Sequence, residues 1–453
     1  MAMPARTGAS GDPALVRGLG FVSLMALFTG NTIGSGIYVL PASLAGVAGP
    51  LALAAWVLVA AAYVPLIAAY GDLASAYPVS GGLQVYVQRA FGDLAGTVAS
   101  FLYWSACVIG NAAFLTAFIG YAQVFAPALK SPWAAFFAAQ LLLWTFAAVN
   151  AAGVRFGGAT QVVTTILKIA PLLVLAVVLA PHASMANLAP LAPHGWGGLL
   201  PAMGLVAWAF TGCESVTVPA EEVRGNPATV GRAARAGFVL TVAVYVGLSV
   251  SLALALPASA IAGSASPLAV AALQFLGRWG ETLVTLGALL SIAGILNGFL
   301  LVSGRLPFAA ARQGFAPAWF GSIHPRLGTP VRGIATSSLA SGVLMVAYFD
   351  RTLLDAYNFI ALAATATALV AVAGACAALG VLVRREPGRF TPAQRRRAPW
   401  ISAAGIAVSM LMIAGSGAVV MGLTALVSVV PVVYAYLWRR SRAAHPVTDA
   451  SAG

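Results

Sequence analysis

Charged residues are scarce in this sequence: of its 453 residues only 8% are Asp, Glu, Lys or Arg, and only 11 are acidic. Hydrophobic residues make up 60% of the chain, and the mean hydropathy is +0.93. A chain of this composition cannot cover a folded globule with polar surface, which argues against a soluble enzyme. The composition is instead typical of a protein whose surface faces lipid.

Cysteine and histidine are also scarce. Three cysteines lie within apolar stretches without the spacing of metal ligands: Cys107, Cys213 and Cys376. We therefore predict buried thiols, no disulfide and no metal. The four histidines all fall in predicted loops or in the C-terminal tail: His182, His194, His324 and His445. Because no cluster of acids, bases, nucleophiles or metal ligands faces one predicted cavity, we predict neither an enzyme nor a cofactor. A membrane-embedded enzyme or a nutrient sensor is the alternative class.

Long apolar runs, in contrast, recur along the whole chain. A helix of about 20 apolar residues crosses a hydrocarbon core about 30 Å thick. The runs predict an all-α integral membrane protein with about twelve transmembrane helices, at approximately 19–46, 51–76, 95–126, 132–151, 160–181, 199–221, 236–257, 280–304, 333–349, 353–383, 400–420 and 422–438. The first run is too long for a cleaved signal peptide and is followed by many more, so we expect it to be retained.

The positions of the basic residues predict the orientation in the membrane. With the N-terminus in the cytoplasm, only Lys130, Arg278 and Arg351 fall in outer loops, Lys168 lies within a span, and the rest of the 24 basic residues lie in inner segments. The net charge of +13 thus follows the positive-inside rule and does not indicate a nucleic-acid partner. We predict a multi-pass protein of the inner (cytoplasmic) membrane with both termini in the cytoplasm.

Two of the predicted spans are interrupted by glycine and polar residues. The first breaks within 30–36 (GNTIGSG) and the sixth within 211–215 (TGCES). A membrane helix unwinds only where protein or a wet cavity replaces its backbone hydrogen bonds. The half-helix that follows a break directs its positive end at an anion, such as the carboxylate of an amino acid. The paired breaks therefore predict the binding site of a transporter.

The spacing of the breaks predicts the domain organisation. They lie five spans apart, and because five is odd, a second five-helix repeat would have the opposite membrane orientation. We expect an N-terminal cytoplasmic tail at 1–18, a core at 19–383 with repeats at roughly 19–181 and 199–383, two additional helices at 400–438, and a cytoplasmic tail at 439–453.

Three segments resemble the amino acid/polyamine/organocation transporter superfamily: 30–38 (GNTIGSGIY), 102–111 (LYWSACVIGN) and 208–215 (WAFTGCES). Within that superfamily the chain is most similar to the basic amino acid and polyamine antiporters, which include the arginine/agmatine exchanger. The resemblance covers most of the chain. It implies the LeuT-type fold of 5+5 inverted repeats with helices 1 and 6 broken, alternating access, and transport of an amino acid or polyamine in the lipid bilayer. A homodimer is a candidate assembly.

The resemblance also implies roles for residues at the breaks. Ile33, Gly34, Ser35 and Gly36 would receive the substrate carboxylate, and carbonyl groups near Ile33, Trp208 and Thr211 its ammonium. The indole of Trp208 would close over the substrate as a gate. Further implied substrate-binding positions are Asn31, Ala106, Cys107, Asn111 and Phe299. The alternatives are close helix packing for the glycines and interhelical hydrogen bonds for the asparagines, and a place in the core for Trp208.

Two ionisable residues, Lys168 and Glu214, lie within predicted spans, where a charge is costly and indicates a functional site. The resemblance implies proton sensing for Glu214. Lys168 is similar to the lysine of proton-coupled members of the superfamily, which takes the place of a sodium ion. We expect carbonyl groups of the broken first helix and the Ser303 hydroxyl to accept its hydrogen bonds. The alternatives are a structural ion pair or hydrogen bond for Glu214 and snorkelling for Lys168, although Arg155 lies about 13 residues, or roughly 20 Å of helix, away.

The chain departs from the antiporter pattern at Lys168 and at three positions of the side-chain pocket: Ala209, Phe299 and Ala364. The three make the pocket less polar. Phe299 still offers a π face to a cation, but a weaker one than tryptophan. The pocket therefore permits a basic substrate side chain but does not require one. We predict an amino acid transporter that is linked to protons by symport or exchange. The alternative is strict exchange of a basic amino acid for its polyamine.

Overall fold

The computed structural model describes residues 20–78, 82–153, 158–217, 223, 226, 228–313, 316–348 and 351–444. The predicted tail at 1–18 and residues 445–453 lie outside them. The described chain forms α-helices joined by short loops and 3-10 turns: α1 (Phe21–Thr32), α2 (Ser35–Val47), α3 (Ala52–Ala76), α4 (Leu83–Phe91), α5 (Asp93–Ala122), α6 (Pro132–Ala151), α7 (Gly158–Leu179), α8 (Leu199–Ala209), α9 (Ala228–Ala255), α10 (Pro267–Arg312), α11 (Val331–Leu344), α12 (Leu353–Arg385), α13 (Pro392–Gly415) and α14 (Ala418–Ala444).

Ten helical segments in the described part of the chain are long and apolar enough to cross a membrane. In chain order they coincide with the predicted spans one to eight, ten and eleven. The predicted ninth span is the shorter α11, and the predicted twelfth is α14, whose apolar part covers Ala418–Tyr434. Side chains such as Leu141 and Val177 stay about 70% exposed on the outer surface, as expected where lipid is the solvent.

One helix was not predicted. α4 lies between the second and third spans and buries Leu83, Tyr86, Val87 and Ala90, which recur at the three- and four-residue spacing of one helix face. This face packs against α5 and α12. Most of the remaining residues of α4 are polar. The segment is therefore not an apolar run in the sequence.

Both predicted interruptions are confirmed. α1 ends at Thr32, the next residues leave helical geometry (Ile33 at φ −76°, ψ 98° and Gly34 at φ −139°, ψ −139°), and α2 begins at Ser35. In the sixth span, α8 ends at Ala209 and a turn through Gly212 at φ +102° leads into a 3-10 helix at Cys213–Thr217. A positive φ is costly for any residue with a Cβ, which explains the glycine at this turn.

The two broken spans pack within the bundle. α1 contacts α7 and α9, α8 contacts α2 and α3, and α5 packs along α10 and α12. α3 and α9 come close at Gly71, where an added Cβ would lie 2.9 Å from the Cα of Gly231. Backbones come this close only where both helices present small residues.

Ion pairs join helix ends at the side predicted to face the cytoplasm. Asp72 near the end of α3 is buried and accepts hydrogen bonds from Arg397 and Gln394 on α13. Arg89 on α4 donates to both carboxylate oxygens of Glu386, at 3.1 and 3.0 Å. These hydrogen bonds hold the pKa of the Glu386 carboxyl below its ordinary value. Neither Asp72 nor Glu386 was predicted.

Candidate functional site

The two breaks lie against each other. A Cβ on Gly36, at the start of α2, would lie 2.7 Å from the Cα of Ala209, the last residue of α8. A Cβ on Gly212 would collide with the carbonyl oxygen of Asn31. The glycines therefore allow the two unwound segments to approach closely. This approach brings their free peptide groups together in the bundle.

Side chains from other helices satisfy carbonyl groups freed at the breaks. The Tyr245 hydroxyl on α9 lies 2.8 Å from the carbonyl oxygen of Thr32 and 3.0 Å from that of Ala209. The Ser291 hydroxyl on α10 donates to the Ile33 carbonyl at 3.0 Å. An unpaired carbonyl buried away from water costs as much as a lost hydrogen bond, so these hydroxyls stabilise the open backbone. Neither Tyr245 nor Ser291 was predicted, because each is a single polar residue in an apolar helix.

The beginning of α2 presents amide groups to the space between the breaks. Its first residues, Ser35 and Gly36, are buried, and no side chain of the described residues caps the helix at Gly34. The first N–H groups of a helix have no partner within it, and they carry the positive end of the helix dipole. This arrangement is suited to a carboxylate.

Aromatic side chains surround Ser35. The Trp208 indole N–H lies 2.8 Å from the Tyr357 oxygen and 3.2 Å from the Ser35 hydroxyl oxygen, to which Tyr357 also donates at 3.1 Å. The ring of Trp208 lies 5.2 Å from that of Phe114, whose ring is 5.1 Å from that of Phe299. Trp208 thus packs against the start of α2, and the gate that the resemblance implies for it stays a prediction.

The absence of a side chain at Gly110 leaves space for the rings of Trp208 and Phe299. An added Cβ at Gly110 would lie 3.3 Å from the Trp208 ring and 3.8 Å from Phe299. The next residue, Asn111, points elsewhere: its amide donates to Ser341 on α11 at 3.4 Å. The two predicted neighbours Ala106 and Cys107 are buried on α5.

Lys168 reaches the first break. It is 3% exposed on α7, and its ammonium donates to the Gly30 carbonyl at 2.9 Å, as predicted for a carbonyl of the broken first helix. Its nitrogen also lies against Gly294 on α10. This buried contact excludes the alternative that the Lys168 side chain snorkels to the membrane surface. Arg155 lies outside the described residues.

The predicted hydrogen bond between Lys168 and Ser303 is wrong. The Ser303 hydroxyl donates to the Leu300 carbonyl at 3.2 Å, and its own carbonyl accepts from Ser337 on α11. Ser303 stands nine residues after Gly294 on α10, about 13 Å along the helix axis. The predicted hydroxyl, Ser303, lies on the same helix as the one that reaches the break. The register of α10 places Ser291 at the first break instead.

Glu214 lies at the second break and is 4% exposed. Its carboxylate accepts hydrogen bonds from the Gly212 amide at 3.0 and 3.2 Å and from the Tyr103 hydroxyl at 3.1 Å. The structural alternatives for Glu214 were an ion pair or a hydrogen bond, and its described contacts are hydrogen bonds. The carboxylate stabilises the turn at Gly212 by accepting from its amide.

The other predicted site residues lie around the breaks. The Asn31 amide donates to the Ser215 hydroxyl at 2.9 Å, which joins the two unwound segments directly. Thr211 is part of the second turn, where its amide donates to the Trp208 carbonyl at 3.0 Å. The Asn31–Ser215 hydrogen bond thus connects one break to the other, whereas the contacts of Thr211 lie within the second break.

Comparisons with known proteins identify related sequences. The profile of a protein family described as amino acid permease matches residues 19–440. The chain is 28% identical to a cadaverine/lysine antiporter of Escherichia coli K12 over 72% of its length and 74% of the relative's. It is 25% identical to an arginine/agmatine antiporter of Chlamydia abortus over 76% and 73% of the two chains. A similar antiporter of Chlamydia felis is 26% identical, over 74% and 72%. These matches confirm the resemblance seen in the sequence.

Proposed function

The chain belongs to the amino acid permease family, and we propose that it moves an amino acid across the inner membrane by alternating access, as a proton-linked symporter or exchanger. The observation that carries this proposal is the meeting of two interrupted spans, where the amide end of α2 and freed carbonyl groups converge within a buried space. A zwitterion presents a carboxylate to the first and an ammonium to the second.

In this proposal the substrate carboxylate binds the amides of Gly34, Ser35 and Gly36. The ammonium binds carbonyl groups at Ile33, Trp208 and Thr211, and Asn31, Ala106, Cys107, Asn111 and Phe299 complete the surroundings. Ser35 and the Ile33 carbonyl are hydrogen-bonded to Trp208, Tyr357 and Ser291. A substrate that enters must exchange places with these partners, which couples binding to movement of Trp208.

The proposed architecture is the LeuT-type fold of twelve spans, with inverted repeats at roughly 19–181 and 199–383 and two further helices at 400–438. Both termini would face the cytoplasm. The order of the helices, the breaks five spans apart and the excess of basic residues in alternate loops support this arrangement.

Protons would be coupled through Lys168 and Glu214, because each touches one of the two breaks. Loss of the Lys168 proton weakens its hold on the Gly30 carbonyl. Protonation of Glu214 weakens its acceptance of the Gly212 amide. Each titration would thereby change the free energy of an unwound segment. Ser303 would affect proton coupling only indirectly, through its contact with Ser337 on α11.

A second candidate is strict exchange of a basic amino acid for its polyamine. It is supported by the names of the relatives, which are antiporters of lysine with cadaverine and of arginine with agmatine. In that case transport would require an exchangeable molecule on both sides of the membrane.

Proteoliposomes separate these candidates. Uptake of a labelled amino acid into empty vesicles under an inward proton gradient supports proton symport. Uptake that requires an internal amine and ignores the proton gradient supports strict exchange. A protein that carries none of the twenty amino acids under either condition contradicts the proposed function.

A further inference from the structure

The surroundings of the candidate site beyond Ser35 are apolar. They are formed by Ile295, which contacts Gly34, and by the rings of Phe114 and Phe299. On α12, Ala364 lies two turns after Tyr357, and residues seven apart share a helix face. The face that carries Tyr357 to Ser35 therefore continues as Ile360, Ala361 and Ala364, which are all buried.

Three polar groups beside these apolar residues are hydrogen-bonded to one another: the Trp208 indole, the Tyr357 hydroxyl and the Ser35 hydroxyl. Gly110 faces the aromatic rings, whereas the Asn111 amide nitrogen is directed at Ser341. The Asn111 side-chain oxygen is buried without a hydrogen-bond partner among the described residues. Apart from that oxygen, a substrate side chain meets ring carbons and methyl groups.

The charges of the described core do not favour a cation either. Its buried carboxylates are Glu214, which accepts hydrogen bonds from Gly212 and Tyr103, and Asp72, which is bound by Arg397 at the end of α3. The buried cation is Lys168, whose ammonium touches Gly294. Neither buried carboxylate of the described residues is therefore left free to pair with a cation beside Phe299.

The rings of the site contact one another. The planes of Trp208 and Phe114 are tilted by 31° with centroids 5.2 Å apart, and Phe114 meets Phe299 edge to face at 79°. A cation binds the face of a ring, and these ring contacts cover part of the available faces. Elsewhere in the chain a cation does lie over a ring, as Arg89 does over Tyr77 at 4.6 Å.

We infer that the transported amino acid has a neutral aliphatic side chain, which packs against Phe114 and Phe299, and that it is neither a basic amino acid nor a polyamine. This inference rests on the proposed function, since it assumes that the carboxylate binds at the start of α2. A polyamine lacks that carboxylate and would forgo the contact with the amide end of α2. Aliphatic side chains, in contrast, gain from burial in such a space.

Equilibrium binding to the purified full chain tests the inference, with L-leucine, L-arginine and cadaverine as probes at neutral pH. We expect leucine to bind at least about tenfold more tightly than arginine, and cadaverine not to compete. Equal or tighter binding of arginine, lysine or cadaverine overturns the inference and leaves the proposed function standing. If none of the twenty amino acids binds, the proposed function itself fails.

Two variants connect selectivity to the pocket. Phe299→Gln places an amide among the rings, and we expect the leucine-to-arginine affinity ratio to fall at least about tenfold. Ala364→Ser adds one hydroxyl with little volume and should lower the same ratio about threefold. A folding defect would lower both affinities and not their ratio. Phe125→Gln, at an exposed phenylalanine after α5, is the matched control and should leave the ratio unchanged. An unchanged ratio in both pocket variants overturns the inference.

Discussion

Tyr245 on α9 donates a 2.8 Å hydrogen bond to the carbonyl oxygen of Thr32, the last residue of α1. The same hydroxyl lies 3.0 Å from the carbonyl oxygen of Ala209, the last residue of α8. One buried side chain thus joins the ends of both half-helices. The contact explains how two unwound segments stay together within a bundle that offers little water.

Tyr245→Phe removes this hydroxyl and keeps the ring against Trp56 and Phe210. The single proton shared by the carbonyl oxygens of Thr32 and Ala209 is then lost, so we expect a loss of about 1–3 kcal/mol in the free energy of unfolding and weaker substrate binding. Thermal denaturation and equilibrium binding measure both. Tyr86→Phe is the control, because the Tyr86 hydroxyl is buried without a hydrogen-bond partner among the described residues. Equal losses in the two variants would show that Tyr245 does not join the breaks.

Lys168→Ala removes the ammonium that binds the Gly30 carbonyl. We expect uptake by proteoliposomes to lose its response to a proton gradient, while exchange of internal for external amino acid continues. Lys130→Ala, at an exposed lysine before α6, should retain the response. Proton-driven uptake by Lys168→Ala at the wild-type rate would remove Lys168 from the coupling mechanism.

Gly36→Ala introduces a Cβ at 2.7 Å from the Cα of Ala209. Because the obstacle is backbone, the two half-helices must separate, and we expect amino acid binding to weaken at least about tenfold. Gly46→Ala, later in α2, meets no atom within 4 Å and should bind normally. The comparison is made by titration of the two purified variants. Normal binding by Gly36→Ala would mean that the close approach of the breaks is not needed for the site.

Arg397→Ala leaves the buried Asp72 carboxylate without its cation. We expect a loss of about 2–4 kcal/mol in the free energy of unfolding, because an uncompensated buried charge is costly. Arg89→Ala breaks the ion pair between Arg89 and Glu386. Both of these side chains are substantially exposed, so we expect a much smaller loss of stability than for Arg397→Ala. Addition of Asp72→Asn should restore part of the stability of Arg397→Ala. Denaturation curves that coincide for the two arginine variants would contradict this ranking.

The ion pair of Glu386 predicts a pH dependence. Its folded-state pKa is lowered by Arg89, so its contribution is present above the unfolded-state pKa and is lost as the pH falls through the folded-state pKa. The stability difference between wild type and Glu386→Gln should stay constant from about pH 7 to pH 5 and vanish on further acidification. Thermal denaturation across this range measures it. A difference that grows on acidification would contradict the assigned sign.

The breaks were predictable because each concentrates glycine and polar residues within an apolar run. GNTIGSG and TGCES cannot continue as lipid-exposed helices, and Lys168 stood out as a lone charge in the same way. The structure places Lys168 on the first break and Glu214 on the second. Local composition is enough to locate such residues, since their cost in lipid does not depend on their partners.

Other residues could not be predicted, because their contacts depend on helix register. Ser291 and Ser303 are both buried serines of α10, yet only Ser291 reaches the first break. Tyr245 and Phe114 are ordinary residues of apolar helices in the sequence, and packing alone brings them to the site. Asp72 lies near the end of α3, and its importance appears only with Arg397, which is 325 residues away in the chain.

The contact between α3 and α9 at Gly71 and Gly231 leaves no room for a side chain. A larger residue at either position would push the two backbones apart. α3 carries Asp72 and α9 carries Tyr245, so such a separation would disturb both the Arg397 contact and the hydrogen bonds at the half-helix ends.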